Sequence, residues 1–152
     1  MTQNLDDLPL RRSSRLVIVD PEGRLLLFRY VDEHRPPFWA TTGGELRPGE
    51  TYEDAARREA LEETGLPLEP GPVLRDREAV YAVARSTPAR WRERYFLVHS
   101  DRTFDPDDAL WTDEERATVR SWKWWTLDAL RACDEDVLPP WIPDLLADLA
   151  PQ

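Results

Sequence analysis

Three glutamates carry the strongest chemical signal in this chain. Glu59, Glu62 and Glu63 stand at i, i+3 and i+4 within the stretch Gly44–Leu66. At about 100° per residue, helical geometry puts all three on one narrow face. Like charges so spaced repel one another and destabilise an isolated helix. The chain must compensate them, either with arginine or with a divalent cation. Carboxylate oxygens are hard ligands that favour Mg²⁺, Ca²⁺ or Mn²⁺ over Zn²⁺. One Cys and two His in the whole chain offer no cluster for zinc. Gly44 and Gly49 in the preceding loop let the backbone turn tightly, which can aim a carbonyl at the same ion. Charged runs on an Ala-rich helix are ordinarily a solvated face, and the detailed spacing decides against that reading here.

That spacing runs Gly44, five residues, Glu50, seven residues, Arg58-Glu59, apolar Ala60, Leu61, Glu62-Glu63, Thr64, Gly65 and apolar Leu66. It resembles the signature of the Nudix hydrolase family at every fixed position. At about 7 % usage per specified residue, a chance match in a chain this long is roughly one in a million. The resemblance implies an α/β fold, a Nudix-type α/β/α sandwich with a mixed sheet. It implies hydrolysis of the pyrophosphate linkage in a nucleoside diphosphate joined to another moiety: a nucleoside triphosphate, a nucleotide sugar or a dinucleoside polyphosphate. It also implies Mg²⁺ as cofactor, with Mn²⁺ as the alternative ion. By the same resemblance Glu59, Glu62 and Glu63 are metal ligands, helped by the Gly44 carbonyl, and one carboxylate also serves as base. Arg58 joins this catalytic set by pairing with Glu50 and orienting the loop. Glu50 and Gly65 are structural. Two departures are visible: Thr42 stands where many members have Pro, and Arg47 where many have an acid. A catalytically idle Nudix domain that binds nucleotide as a regulatory module is the alternative, and a missing box carboxylate would favour it; none is missing.

A second acidic block is less defined. Asp105, Asp107, Asp108, Asp113, Glu114 and Glu115 are six acids in eleven residues without a base. Either this is a solvated loop, or one acid folds back as an extra metal ligand or general base, with Glu115 the first choice and Glu114 the second. For substrate, Arg94 is a candidate phosphate contact. Trp39, with Tyr81, Trp91 and Trp111, is a candidate for stacking on a base. Glu93, on the opposite strand face from Arg94, is an alternative approach to the metal site. Core packing competes with each aromatic assignment.

The elements that must position these residues are legible. Arg15–Asp20 and Arg24–Tyr30 read as a hairpin around Pro21-Glu22-Gly23. Phe38–Thr42 suits a strand. Thr51 is the expected N-cap of a helix over Tyr52–Thr64, with Gly65 as its stop and Pro67 blocking continuation. Strands are expected at Ala79–Arg85, Arg92–Ser100 and Ser121–Trp125. Short helices are expected at Asp113–Thr118, Leu127–Ala132 and Pro143–Leu149. Residues 1–12 are expected to be mobile, and residues 13–152 to form a single domain.

Composition narrows the partners. Thirty acids against twenty bases give a net charge of −10. That opposes long nucleic acid, which needs positive surface to displace counterions, and with it an RNA 5′-end substrate. It equally opposes anionic lipid. The charge does not oppose a small polyphosphate that arrives with metal. No signal peptide or membrane-length apolar run is seen, and the single Cys133 makes no internal disulfide, so a cytoplasmic setting is expected. A homodimer is compatible with the family but has no interface signature in the sequence.

Overall fold

Leu- and Val-rich runs build the sheet. The computed structural model describes residues 7–149. In it the expected hairpin forms from β1 (Leu10–Val19) and β2 (Leu25–Tyr30), antiparallel, with Val19 opposite Leu25. Asp20 closes the turn. Its carboxylate accepts the Glu22 and Arg24 backbone N–H groups at 3.0 and 2.8 Å, Arg24 Nε at 2.9 Å and the Thr103 hydroxyl at 2.7 Å. β1 begins earlier than expected. Leu10–Arg12, assigned above to a mobile segment through residue 12, are strand, because β6 (Ala89–His99) runs parallel to β1 from Leu10 opposite Arg90 to Val19 opposite His99. Leu8 is buried as well. The same expectation for residues 1–6 lies outside the described residues.

The expected strand Phe38–Thr42 breaks in two at Thr41. β3 (Phe38–Ala40) pairs with β2, whereas β4 (Thr42–Glu45) pairs with β1. β1 and β2 therefore meet at the turn and then take different partners, and the sheet opens into a cleft there. β5 (Val73–Tyr81) lies earlier than the expected 79–85. Among the described residues it is an edge strand paired only with β6, and its charged, alternately exposed residues carry no apolar run to mark it. β7 (Val119–Trp125) pairs with β2, and β8 (Asp136–Leu138), three residues in an acidic run and not anticipated, pairs parallel with β3. The helices are α1 (Tyr52–Thr64), α2 (Asp113–Thr118), α3 (Leu127–Arg131) and α4 (Ile142–Leu149).

Strand alternation divides the core into two layers. Leu16 and Ile18 of β1 face Ala56 and Ala60 of α1. Val17 and Val19 face the other way, with Leu130 of α3 and Ile142 and Leu146 of α4. Each large apolar side chain so enclosed contributes about 1.5–3 kcal/mol. The result is the expected α/β/α sandwich on a mixed sheet. No helix among the described residues is long and apolar enough to cross a membrane.

Candidate active site

The helix that carries the glutamates is fixed at both ends by its own sequence. The Thr51 hydroxyl accepts the Asp54 N–H at 3.0 Å, and the Asp54 carboxylate accepts the Thr51 N–H at 3.1 Å, a reciprocal cap. Gly65 ends α1 in the left-handed conformation at φ +80°. Ala55, Ala56 and Ala60 seat the helix against the sheet, and their small side chains let it approach closely. Glu59 and Glu63, one turn apart, are carried inward with them and are buried, while Glu62 lies at the rim, half-buried.

Arg58 organises this cluster from the same helix. Its Nε and Nη2 grip the two oxygens of Glu50, each at 2.8 Å. Its Nη1 lies 2.7 Å from Glu59 Oε1 and 3.1 Å from Glu62 Oε2, and Nη2 also donates to the Glu45 carbonyl. That bidentate grip holds the Glu50 carboxyl down at about 2, against the opposing effect of burial. The expected pairing of Arg58 with Glu50 is present, and so is its loop-orienting contact. Arg47, one of the departures from the family pattern, donates to the other oxygen of Glu62 at 3.1 Å.

Gly44 is required for space. A Cβ built there would lie 2.4 Å from Glu59 Oε1 and 2.7 Å from its Cδ. The strand backbone and the Glu59 carboxylate are thus pressed together. The tight turn expected of the loop belongs instead to Gly49, at φ +83°.

The acidic stretch 105–115 divides. Asp105, Asp107, Asp108, Asp113 and Glu114 are exposed. Glu115 turns inward. The loop is moored to the end of α1: the Asp107 N–H donates to the Thr64 carbonyl at 3.0 Å, and Trp111 Nε1 to the Glu63 carbonyl at 2.9 Å. A reciprocal cap of Thr112 with Glu115 starts α2 and sets Glu115 against Glu63. Burial, then Glu115, push the Glu63 carboxyl well above the carboxylate range. Burial also opposes charge on Glu115, but hydrogen bonds with Glu63 and Thr112 outweigh it and hold that carboxyl below its ordinary value. Glu59 is likewise raised, chiefly by burial. The two facing carboxyls, Glu63 and Glu115, are thus shifted in opposite directions.

A divalent cation fits these donors. Glu63 Oε2 is buried without a hydrogen-bond partner among the described residues, and the acidic side chains around it offer oxygen donors. As the side chains stand, no three Asp, Glu, His or Cys groups among the described residues converge on one point. Arg58 Nη1 sits between Glu59 and Glu62 instead and supplies the positive charge there.

A cavity of about 510 Å³ opens from this cluster along the split in the sheet. Its wall includes Gly44, Glu59, Glu62, Glu63 and Glu115, and, further along, Arg15, Tyr81, Trp91 and Glu93. Of the substrate candidates read from the sequence, Tyr81 and Trp91 line it, whereas Trp39, Trp111 and Arg94 do not. Trp39 is buried in the core, edge-on to Trp125 at 4.9 Å, with its Nε1 bonded to Glu135. Arg94 points to the α1 side of β6, over the Tyr52 ring and paired with Asp76. Strand alternation explains the latter: Trp91, Glu93 and Tyr95 take the cavity face, so Arg92 and Arg94 cannot. Trp111 packs against Phe28 at 5.3 Å. Arg15 was missed in the sequence, where its one available signal was a lone cation entering the apolar run Leu16–Val19.

The chain is similar to known proteins in sequence and in fold. The oxidized purine nucleoside triphosphate hydrolase of Danio rerio is 44 % identical over 54 residues, 36 % of this chain and 35 % of that protein. Nucleoside triphosphatase NudI of Enterobacter sp. is 43 % identical over 54 residues, 34 % of this chain and 38 % of that protein. The matched stretches thus span only about a third of these relatives' own length. The crystal structure of a MutT NUDIX hydrolase from Burkholderia pseudomallei superimposes with a TM-score of 0.68 at 21 % identity, over 93 % of this chain and 98 % of that one, and so shares the fold. The NUDIX domain model matches residues 9–148, nearly the full length; the chain belongs to the Nudix family.

Proposed function

We infer that this protein hydrolyses the phosphoric anhydride linkage of a small nucleotide, a nucleoside diphosphate joined to a further phosphate, sugar or nucleoside, with Mg²⁺ or Mn²⁺ as cofactor. The observation that carries the reading is the buried, unpartnered Glu63 Oε2 beside Glu59 and Glu115, at the head of a cavity large enough for a nucleotide. So much buried carboxylate is costly unless a cation neutralises it.

Glu59, Glu62 and Glu63, with the Gly44 carbonyl, are the groups that would hold the ion. When bound, it supplies charge neutralisation for the phosphate oxygens and acidifies the attacking water. The chain's own residues do the rest. Arg58 holds Glu59 and Glu62 in place through its anchorage on Glu50. Glu115, half-buried opposite Glu63 at the cavity wall, is our candidate for the group that takes a proton. The cap on α2 keeps that carboxylate at its station.

The test is a panel of nucleoside diphosphate compounds: triphosphates with normal and oxidised bases, nucleotide sugars and dinucleoside polyphosphates. Each is incubated with Mg²⁺ or Mn²⁺ and scored for phosphate, pyrophosphate and mononucleotide. Cation-dependent cleavage of at least one class is expected. Binding without turnover of any class would replace this reading with that of a nucleotide-binding module.

A further inference from the structure

The strand floor of the cavity holds a charge cluster that the carboxylate site does not use. Glu93 of β6 is 97 % buried and accepts from two arginines on its flanking strands. Arg15 Nε of β1 donates to Oε2 at 3.1 Å, and Arg77 Nη1 of β5 to Oε1 at 3.2 Å. The Tyr81 hydroxyl adds a third bond at 2.8 Å. One carboxylate therefore serves two guanidinium groups, and the cluster carries a net positive charge. Arg15 is 17 % exposed, and that exposure is into the cavity. Its Nε is committed to Glu93, whereas its terminal nitrogens have no carboxylate partner among the described residues. Its backbone pairs with Gly43, one residue from the glycine that touches Glu59. Arg15 thus stands between the carboxylate site and the distal half of the cavity.

We propose that Arg15 binds a phosphate of the substrate, and that buried Glu93 is the residue that positions it. A guanidinium fixed at Nε presents its outer edge as a planar fork, the geometry that grips two phosphate oxygens. The unbalanced positive charge selects an anion over a neutral acceptor. Free rotation of Arg15 would cost much of that gain, and Glu93, Arg77 and Tyr81 remove it beforehand. This assignment rests on the hydrolase reading above, because it needs a phosphate chain that starts at the carboxylates.

The experiment is calorimetry with the α,β-methylene analogues of adenosine and guanosine diphosphate in Mg²⁺, using wild type, Arg15→Ala, Arg15→Lys, Glu93→Gln and the Arg15→Ala/Glu93→Gln double variant. Loss of a charge-assisted contact predicts about 10- to 100-fold weaker binding of both analogues by Arg15→Ala. Arg15→Lys keeps the charge without the fork and is expected to fall in between; should Arg15→Ala fail to fold, Arg15→Lys and Glu93→Gln carry the same comparison. The double variant should lose no more than Arg15→Ala alone, a coupling that general structural damage does not produce. Millimolar guanidinium should restore part of the Arg15→Ala turnover and leave Glu93→Gln unchanged. Equal affinity in wild type and the Arg15 variants overturns this assignment alone. A loss confined to the guanosine analogue overturns it in favour of a contact to the base edge. Wild type that binds neither analogue and cleaves no nucleotide overturns the hydrolase reading as well.

Discussion

Replacing Gly44 with alanine isolates one contact. The added Cβ would lie 2.4, 2.7 and 2.9 Å from the Oε1, Cδ and Oε2 atoms of Glu59. Ordinary carbon contacts are near 3.5 Å, so the carboxylate must retreat by about 1 Å. Gly44 has no positive φ, so the alanine backbone itself is unstrained. The bond from Arg58 Nη1 to Glu59, 2.7 Å long, weakens, at about 1 kcal/mol. Loss of glycine's freedom in the unfolded chain offsets this by about 0.4–1 kcal/mol. Stability should therefore change by under about 1 kcal/mol, or about 2–4 °C in Tm for a chain of this size. Turnover should not survive so well. A 1 Å misplacement in a catalytic array costs on the order of 10²-fold, equal to about 2.7 kcal/mol of barrier. The assay is steady-state hydrolysis of the best panel substrate, paired with a thermal melt. Gly49→Ala is the control: its φ is +83° and nothing lies within 4 Å of an added Cβ. It should lose about 1–2 kcal/mol of stability with turnover per folded molecule nearly intact. Full activity in Gly44→Ala, or an equal activity loss in both, would refute the argument that Gly44 acts by contact with Glu59.

Two further outcomes concern folding. Gly43→Ala should not yield folded protein, because its Cβ would sit 2.1 Å from the Ser14 carbonyl at φ +133°, inside the β1–β4 pairing; a soluble variant with a native melt would contradict this. Asp20→Ala should cost about 2–3 kcal/mol at neutral pH, read by urea unfolding. Burial opposes the Asp20 charge, but the Thr103 and Arg24 hydrogen bonds outweigh it and hold the folded pKa below the unfolded value of 3.8. Its stabilisation is thus present above that value and fades as pH falls below it, so the gap between wild type and variant should narrow in acid; a gap constant with pH would show that the turn's charge is irrelevant.

The parts of the fold that were legible in the sequence are those specified locally. α1 begins at Thr51 and ends at Gly65 because cap and stop are single residues acting on adjacent backbone. The hairpin follows from two apolar runs around a turn. What was not legible depends on partners far along the chain. β5 is charged through its centre, Arg75–Glu78, and exists because β6 lies beside it. Leu10–Arg12 are strand because of residues eighty positions away. The same division runs through the site. Glu59, Glu62 and Glu63 share a helix face by spacing alone, whereas Glu115 reaches Glu63 only because Trp111 and Asp107 moor its loop to the end of α1. The choice between Arg94 and Glu93 turned on a strand's facing, which a one-residue shift inverts. Arg15 gained its meaning from Glu93, on a strand that no local pattern pairs with β1.

The central claim is that the buried glutamates of α1 hold a cation for anhydride cleavage. Glu63→Gln tests it most directly, because the change removes the carboxylate form that would ligate a cation while keeping shape at an oxygen that has no hydrogen-bond partner among the described residues. Thermal melting and Mg²⁺-dependent hydrolysis are measured on the same preparation. A melt no lower than that of wild type, with turnover reduced by at least about 100-fold, is the predicted result. A folded Glu63→Gln protein with near-normal turnover would contradict the account.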